Sequence, residues 1–161
     1  MMRWGIIGLG RIADTEIAPA ITASPQGELR GVVSRDQGRA EAFAGRHGAV
    51  RALTSFDELL ADPEVDAVYI ATPNALHAGH TIKAAKAGKH VLCEKPMEVS
   101  VEKCRQMIDA CKKAGRQLAI GYRLHFEPNN LECVRLAREK VFGDLKLIQA
   151  DFGFQIGRAH V

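Results

Sequence analysis

Two short stretches of this chain of 161 residues bring together side chains that could do chemistry. The first is Gly8-Leu9-Gly10-Arg11-Ile12-Ala13, spaced as G-x-G-x-x-A after the apolar run Trp4-Gly5-Ile6-Ile7. Gly8 can take the backbone angles of a tight turn. Gly10 leaves the main chain open to a pyrophosphate, and Ala13 is small enough for a helix to pack close to its strand. The free N–H groups of the helix start, around Gly10, Arg11 and Ile12, would face the phosphates of a dinucleotide. The second stretch is Glu94-Lys95-Pro96, which follows the apolar run Val91-Leu92-Cys93. Ligands of open α/β sheets bind at the carboxyl ends of strands, so Lys95 would point into a cleft. A lysine there can hydrogen-bond the cofactor's ribose and the substrate's reacting oxygen, polarising a carbonyl or stabilising an alkoxide. Glu94 can pair with Lys95 or a neighbour and fix its position.

A third group decides which dinucleotide is read. The adenosine ribose should lie at the end of the second strand, where an acidic side chain suits the 2′-OH of NAD and basic ones suit the 2′-phosphate of NADP. Here stand Ser34 and Arg35, then Asp36, then Arg39 one helical turn on. Ser34 can donate to a phosphate, and Arg35 and Arg39 can neutralise it. These three predict NADP. Asp36 as a ribose ligand is the alternative, which would mean NAD.

Such residues meet only if strand ends converge, and the pattern supplies the strands. Apolar runs at 4–7, 28–34, 49–53, 65–71, 90–93 and 117–121 alternate with helical stretches at 11–23, 35–47, 55–61, 75–87 and 100–114. The alternation predicts an α/β fold, a doubly wound parallel sheet with helices on both faces. Pro19 predicts a break in the first helix and a second short helix starting near it. Ser55 and Ser100 stand as N-caps, and Gly48, Gly88 and Gly115 as helix stops. After Gly121 the pattern changes to an irregular stretch, a helix over 128–140 and a strand over 145–154. One helix and one strand are the start of a second α/β domain and leave an unpaired edge.

The composition is that of an ordinary globular chain, 47% hydrophobic and 25% charged, with a net charge of +3. Its Lys and Arg are scattered among Asp and Glu, so no nucleic-acid or anionic-membrane partner is expected. No apolar run is long enough to span a bilayer, and the chain opens directly into a strand with no secretory leader, so a cytoplasmic protein is expected. Cys93, Cys104, Cys111 and Cys133 form no C-x-x-C pair, which predicts buried free thiols and no metal site. His77 and His80 lie three apart, but two imidazoles without carboxylate partners are a weak metal signal.

In these motifs the chain resembles the Gfo/Idh/MocA oxidoreductases. The likeness runs through Gly8-Leu9-Gly10, Asp66-Ala67-Val68-Tyr69-Ile70, Thr72-Pro73-Asn74-Ala75-Leu76-His77, Ala87-Gly88-Lys89-His90-Val91 and Cys93-Glu94-Lys95-Pro96-Met97. It continues through Met107-Ile108-Asp109-Ala110 and Ile120-Gly121-Tyr122-Arg123 to His125-Phe126-Glu127-Pro128. That last stretch is similar to the glucose–fructose oxidoreductase branch, and the opening Arg3-Trp4-Gly5-Ile6 to the dihydrodiol and xylose dehydrogenases. The resemblance implies a Rossmann domain over 1–121, followed over 122–155 by the beginning of a larger substrate and oligomerisation domain. It implies an NADP-dependent (alternatively NAD-dependent) oxidoreductase of a sugar or polyol, a homo-oligomer at full length. It makes Lys95 the motif lysine, with a Lys95–Pro96 bond that is often cis. Thr72, Pro73, Asn74 and His77 would line the middle of the cofactor, and Arg123 would approach the nicotinamide. The family's partner to the lysine, an Asp-x-x-x-His or Asp-x-x-x-Tyr pair, is absent after Asp151, so the expectation is a fragment that binds cofactor and turns over little. A catalytically silent dinucleotide-binding module is the alternative. Finally, Ile156-Gly157-Arg158-Ala159-His160-Val161 can be encoded by one frame of a common DNA-sequencing adapter, and 156–161 is expected to be a non-native tail.

Overall fold

In the computed structural model, which describes residues 1–149 and 151, the six apolar runs become six parallel strands. They are β1 (Met2–Ile7), β2 (Gly27–Val33), β3 (Arg51–Leu53), β4 (Ala67–Ile70), β5 (His90–Cys93) and β6 (Leu118–Ile120). Their order across the sheet is β3-β2-β1-β4-β5-β6, with the chain reversing direction of travel between β1 and β4. That is the doubly wound arrangement, whose strand ends open a crevice at the switch point. The helices are α1 (Ala18–Ala23), α2 (Gln37–His47), α3 (Phe56–Ala61), α4 (His77–Lys86), α5 (Val101–Lys113) and α6 (Pro128–Arg138). Two apolar cores flank the sheet. Ile6, Leu29, Val32, Phe43 and Tyr69 fill one face, and Leu59, Val68, Ile70, Cys93 and Met107 the other.

The caps fall where side chains can satisfy helix-end N–H groups. Ser55 Oγ accepts from Glu58 N at 3.4 Å and Ser100 Oγ from Lys103 N at 3.3 Å. Gly48, Gly88 and Gly115 end their helices at φ 70°, 76° and 63°. The second short helix expected near Pro19 is α1, which carries that proline in its first turn, but no break precedes it. A π-helical turn over Ala13–Ile17 runs straight into α1, and the Ala18 N–H reaches back to Ala13 O. The widened turn takes in a ring that has no N–H to give, so the chain stays helical.

The chain divides into two compact units, Met1–Tyr122 and Arg123–Val161. Within the second, a 3₁₀ turn (Arg123–Phe126) leads into α6, capped by the Glu127 carboxylate, which accepts from Asn130 N at 2.8 Å. The strand expected over 145–154 is not formed at residues 145–149, which are irregular and exposed. Alternating character alone makes no strand without a neighbour to share a ladder, and among the described residues none is paired there. Residues 150 and 152–154, and the tail at 156–161, lie outside the described residues. The thiols also depart from expectation. All four are free, and Cys93 and Cys111 are buried, but Cys104 is half-buried and Cys133 is exposed on α6.

At the amino ends of the strands Arg3 grips Asp66. Its backbone N donates at 2.9 Å, Nε at 3.0 Å and Nη2 at 2.8 Å to that carboxylate. These bonds hold the Asp66 carboxyl at about 2, below the ordinary value of about 3.9. A carboxyl depressed in the folded state stabilises it above the unfolded value, and that contribution is lost as pH falls through the folded value. The melting temperature is therefore expected to drop more steeply between about pH 4 and about pH 2 in the native chain than in Arg3→Met. Thermal melts across that range check it, and parallel curves would refute it.

Candidate functional site

The turn after β1 is built around two glycines with different duties. Gly8 sits at φ 93°, and a Cβ there would lie 2.6 Å from both the carbonyl carbon and the oxygen of Ala71. The turn is thus pressed against backbone at the end of β4, and only glycine fits. A Cβ on Gly10 would meet nothing within 4 Å. That open side faces a cavity of about 520 Å³ at the carboxyl ends of the strands, lined by Gly8, Gly10, Ser34, Arg35, Arg39 and Thr72 among others. Ala13 is fully buried, as close packing of helix on strand demands. Arg11 and Ile12 follow on the first helical turn, both exposed. A larger hollow, about 850 Å³, opens at the opposite ends of the strands beside Met2, Gly27, Asp66 and His90. Among the described residues that lining holds Asp66 and no Lys or Arg, whereas the smaller cavity presents Arg35 and Arg39 beside a helix start, the chemistry for an anionic ligand.

At the β2 end of the cavity the side chains sort themselves. Asp36 is the N-cap of α2: its Oδ1 accepts from Arg39 N at 2.7 Å. Its own N–H donates to Ser34 Oγ at 3.2 Å, which leaves the Ser34 hydroxyl proton available. The Arg39 guanidinium donates to Leu9 O at 2.5 Å, bridging α2 to the glycine turn. Ser34, Arg35 and Arg39 line the cavity, and Asp36 does not.

Next to the turn, Thr72 and Pro73 line the same cavity, and Asn74 opens a 3₁₀ turn (Asn74–Leu76), exposed. His77 is fully buried. Its Nδ1 lies 2.9 Å from Pro96 O and its Nε2 2.9 Å from Thr72 O. Rather than lining the cavity as expected, His77 is a strut between the Thr72 loop and the Lys95 loop. His80, one turn on, does reach the cavity, and its Nδ1 lies 3.0 Å from Thr72 Oγ1. Burial, and then the neighbouring His77 and Lys83, pull its pKa down and favour a neutral ring.

Lys95 itself is exposed at the end of β5, and the Lys95–Pro96 bond is cis. Glu94 uses both carboxylate oxygens inside the chain. Oε2 accepts from Lys95 N at 3.0 Å, and Oε1 accepts from the Tyr69 hydroxyl. Cys93, under this loop, is buried, and burial pushes its thiol up to about 12, so it is inert. Arg123 belongs to the second unit, on the 3₁₀ turn that opens it. Sequence reasoning passed over Tyr69 as one more buried strand residue. The available signal was chemical: a phenol between Val68 and Ile70 in an apolar strand must find a partner for its O–H. Among the described residues no three His, Cys, Asp or Glu side chains converge on a metal site, and no helix is long and apolar enough to cross a membrane.

The arrangement has many counterparts. Residues 2–122 match the family GFO_IDH_MocA, described as an oxidoreductase family with an NAD-binding Rossmann fold. The 1,5-anhydro-D-fructose reductase of Ensifer adhaerens is 43% identical over 124 residues, covering 77% of this chain and 37% of that protein. The fold superposes on the 3-ketoreductase KijD10 of Actinomadura kijaniata, solved with NADP, at a TM-score of 0.82 and 32% identity, over 88% of this chain and 45% of that one. It superposes on the aldose–aldose oxidoreductase of Caulobacter crescentus at 0.80 and 40% identity, over 86% of this chain and 43% of that one. The chain thus spans less than half the length of each of these relatives.

Proposed function

The chain belongs to the Gfo/Idh/MocA oxidoreductase family, and from that membership we propose that it is the nucleotide-binding part of an NADP-dependent oxidoreductase of sugars or polyols. The observation that carries the choice of NADP is the duty of Asp36. Its carboxylate caps α2, while Ser34, Arg35 and Arg39 face the cavity. The acidic side chain that would read a free 2′-OH is engaged elsewhere, and the side chains that suit a 2′-phosphate are presented.

The residues present fit such a cofactor. Ser34, Arg35 and Arg39 would hold the 2′-phosphate, and the backbone around Gly8 and Gly10, running into Arg11 and Ile12, the pyrophosphate. Thr72, Pro73 and Asn74 would flank the middle, and Glu94 and Lys95 would stand at the nicotinamide end. When bound, the nicotinamide supplies or accepts the hydride. Lys95 hydrogen-bonds the oxygen on the reacting carbon and stabilises the charge that builds there. Residues 122–155 are the beginning of a second domain in this reading. The relatives named a reductase of anhydrofructose and an aldose–aldose oxidoreductase support a sugar-like substrate.

The expected result is tighter binding of NADPH than of NADH by the chain, measured by fluorescence titration. Arg35→Ala should weaken NADPH by about tenfold or more, the loss of one charge-assisted contact, and leave NADH nearly unchanged. A preference for NADH, or an unchanged ratio in Arg35→Ala, would overturn the NADP reading.

A further inference from the structure

We propose that Tyr69 is a positioning residue for Lys95, acting through Glu94. The inference rests on the reading of Lys95 as the reactive amine and adds a residue from outside its loop. Tyr69 lies in β4, 1% exposed, on the face shared with Ile6 and Phe43. Its ring packs as core, but its hydroxyl leaves the core and donates to Glu94 Oε1 beyond the end of β5. The other oxygen of the same carboxylate accepts from the Lys95 N–H. Phenol, carboxylate and amide thus form one chain of hydrogen bonds from the middle of the sheet to the residue that carries the amine.

The backbone shares this design. Glu94 N donates to Ile70 O at 2.9 Å, and Gly121 N donates to Cys93 O at 2.8 Å, so the main chain before Lys95 is held from β4 and from the end of β6. A Cβ on Gly121 would come within 3.1 Å of Glu94 Oε1, so glycine there leaves room for the carboxylate to reach the phenol. The groups that meet Glu94 are the Tyr69 hydroxyl from β4 and the Lys95 N–H on its own segment, with the Cys93 thiol on the adjoining residue of β5. Burial, and then the Glu94 carboxylate, raise the phenol's pKa, so it remains a donor across the working range. Buried polar networks of this sort fix one arrangement when every member is satisfied.

The test uses the whole chain and Tyr69→Phe, which keeps the ring and removes the donor. Lysines are reductively methylated with ¹³C, which preserves their charge, and the Lys95 signal is identified by its loss in Lys95→Arg. In the free protein the Lys95 signal should shift or broaden in Tyr69→Phe, and the other lysines should not. Glu94→Gln should produce a similar change, and adding Tyr69→Phe to it should change little more, the signature of two groups acting through one bond. NADPH affinity should fall about threefold to tenfold in Tyr69→Phe, the scale of coupling between contacting groups. Identical Lys95 signals in native and Tyr69→Phe chains, at equal thermal stability, would overturn the proposal and leave a core tyrosine. If Tyr69→Phe does not fold, Glu94→Gln alone decides: an unmoved Lys95 signal overturns the proposal. A native Lys95 signal that ignores saturating NADPH overturns the reading of Lys95 at the nicotinamide, a separate outcome from the comparison of free proteins.

Discussion

Given NADP and a panel of aldoses, the 161-residue chain is expected to turn over at least 10²–10⁴-fold more slowly than a relative carrying both halves, roughly the loss that follows removal of one general acid. Hydride transfer needs a dry, closed cleft and a positioned proton donor as well as the lysine. The first unit supplies a nucleotide cavity and Lys95, but Lys95 is exposed, and nothing within that unit closes over it. The second unit supplies, among the described residues, one 3₁₀ turn, α6 and an irregular exposed stretch. Within the first unit no element walls a substrate against Lys95, and missing orientation of that kind removes further orders of magnitude. NADP reduction is followed by absorbance, beside the same assay on a two-domain relative. Equal rates would show that the second half is dispensable and that the chain holds its own proton donor.

The two glycines of the turn should separate folding from binding. Gly8→Ala forces a side chain into φ 93° and drives its Cβ against the backbone of Ala71 at 2.6 Å. Backbone at the end of a central strand cannot step aside. Strain of about 1–3 kcal/mol and overpacking of about 1–3 kcal/mol should together remove about 3 kcal/mol or more. Against a total stability of about 5–15 kcal/mol, that lowers the melting temperature by many degrees. Gly10→Ala meets nothing within 4 Å, so it should melt as the native chain does. Its methyl group occupies the space through which the pyrophosphate would approach, and NADPH affinity should fall by about tenfold or more. Thermal melts and fluorescence titration on both variants decide it. A Gly8→Ala chain as stable as the native one would refute the steric reading of the turn. A Gly10→Ala chain that binds NADPH normally would refute the placement of the phosphates.

Whether such features could be read from the sequence followed from how local their causes are. The glycine turn was legible because its constraint, one positive φ and one open backbone, lies within six residues. Caps at Ser55 and Ser100 were legible for the same reason. The parallel sheet followed from alternating apolar runs and helices. Asp36 remained ambiguous because one short carboxylate can cap a helix or bind a ribose, and only coordinates show where Oδ1 points. The bond from Tyr69 to Glu94 spans 25 residues, and that from His77 to Pro96 spans 19, so neither leaves a periodic trace. Pro19 illustrates a second kind of difference. The proline rule holds for an α-helix, and the chain answered it with a π turn instead of a break. At 145–149 the alternation was real, but a strand is a property of pairs, and a single sequence shows only one member.

His77 joins the loop after β4 to the loop after β5 without any covalent bond. Two untethered loops would each sample their own conformations, and each would lose that freedom separately when a ligand arrived. With one buried imidazole wedged between a carbonyl of each, the two loops are ordered together. Much of the entropy of ordering the lysine's surroundings has therefore already been lost when the chain folds, before any nucleotide arrives. The ring acts as a crosslink that is drawn from the core, closes short loops and needs no oxidising compartment.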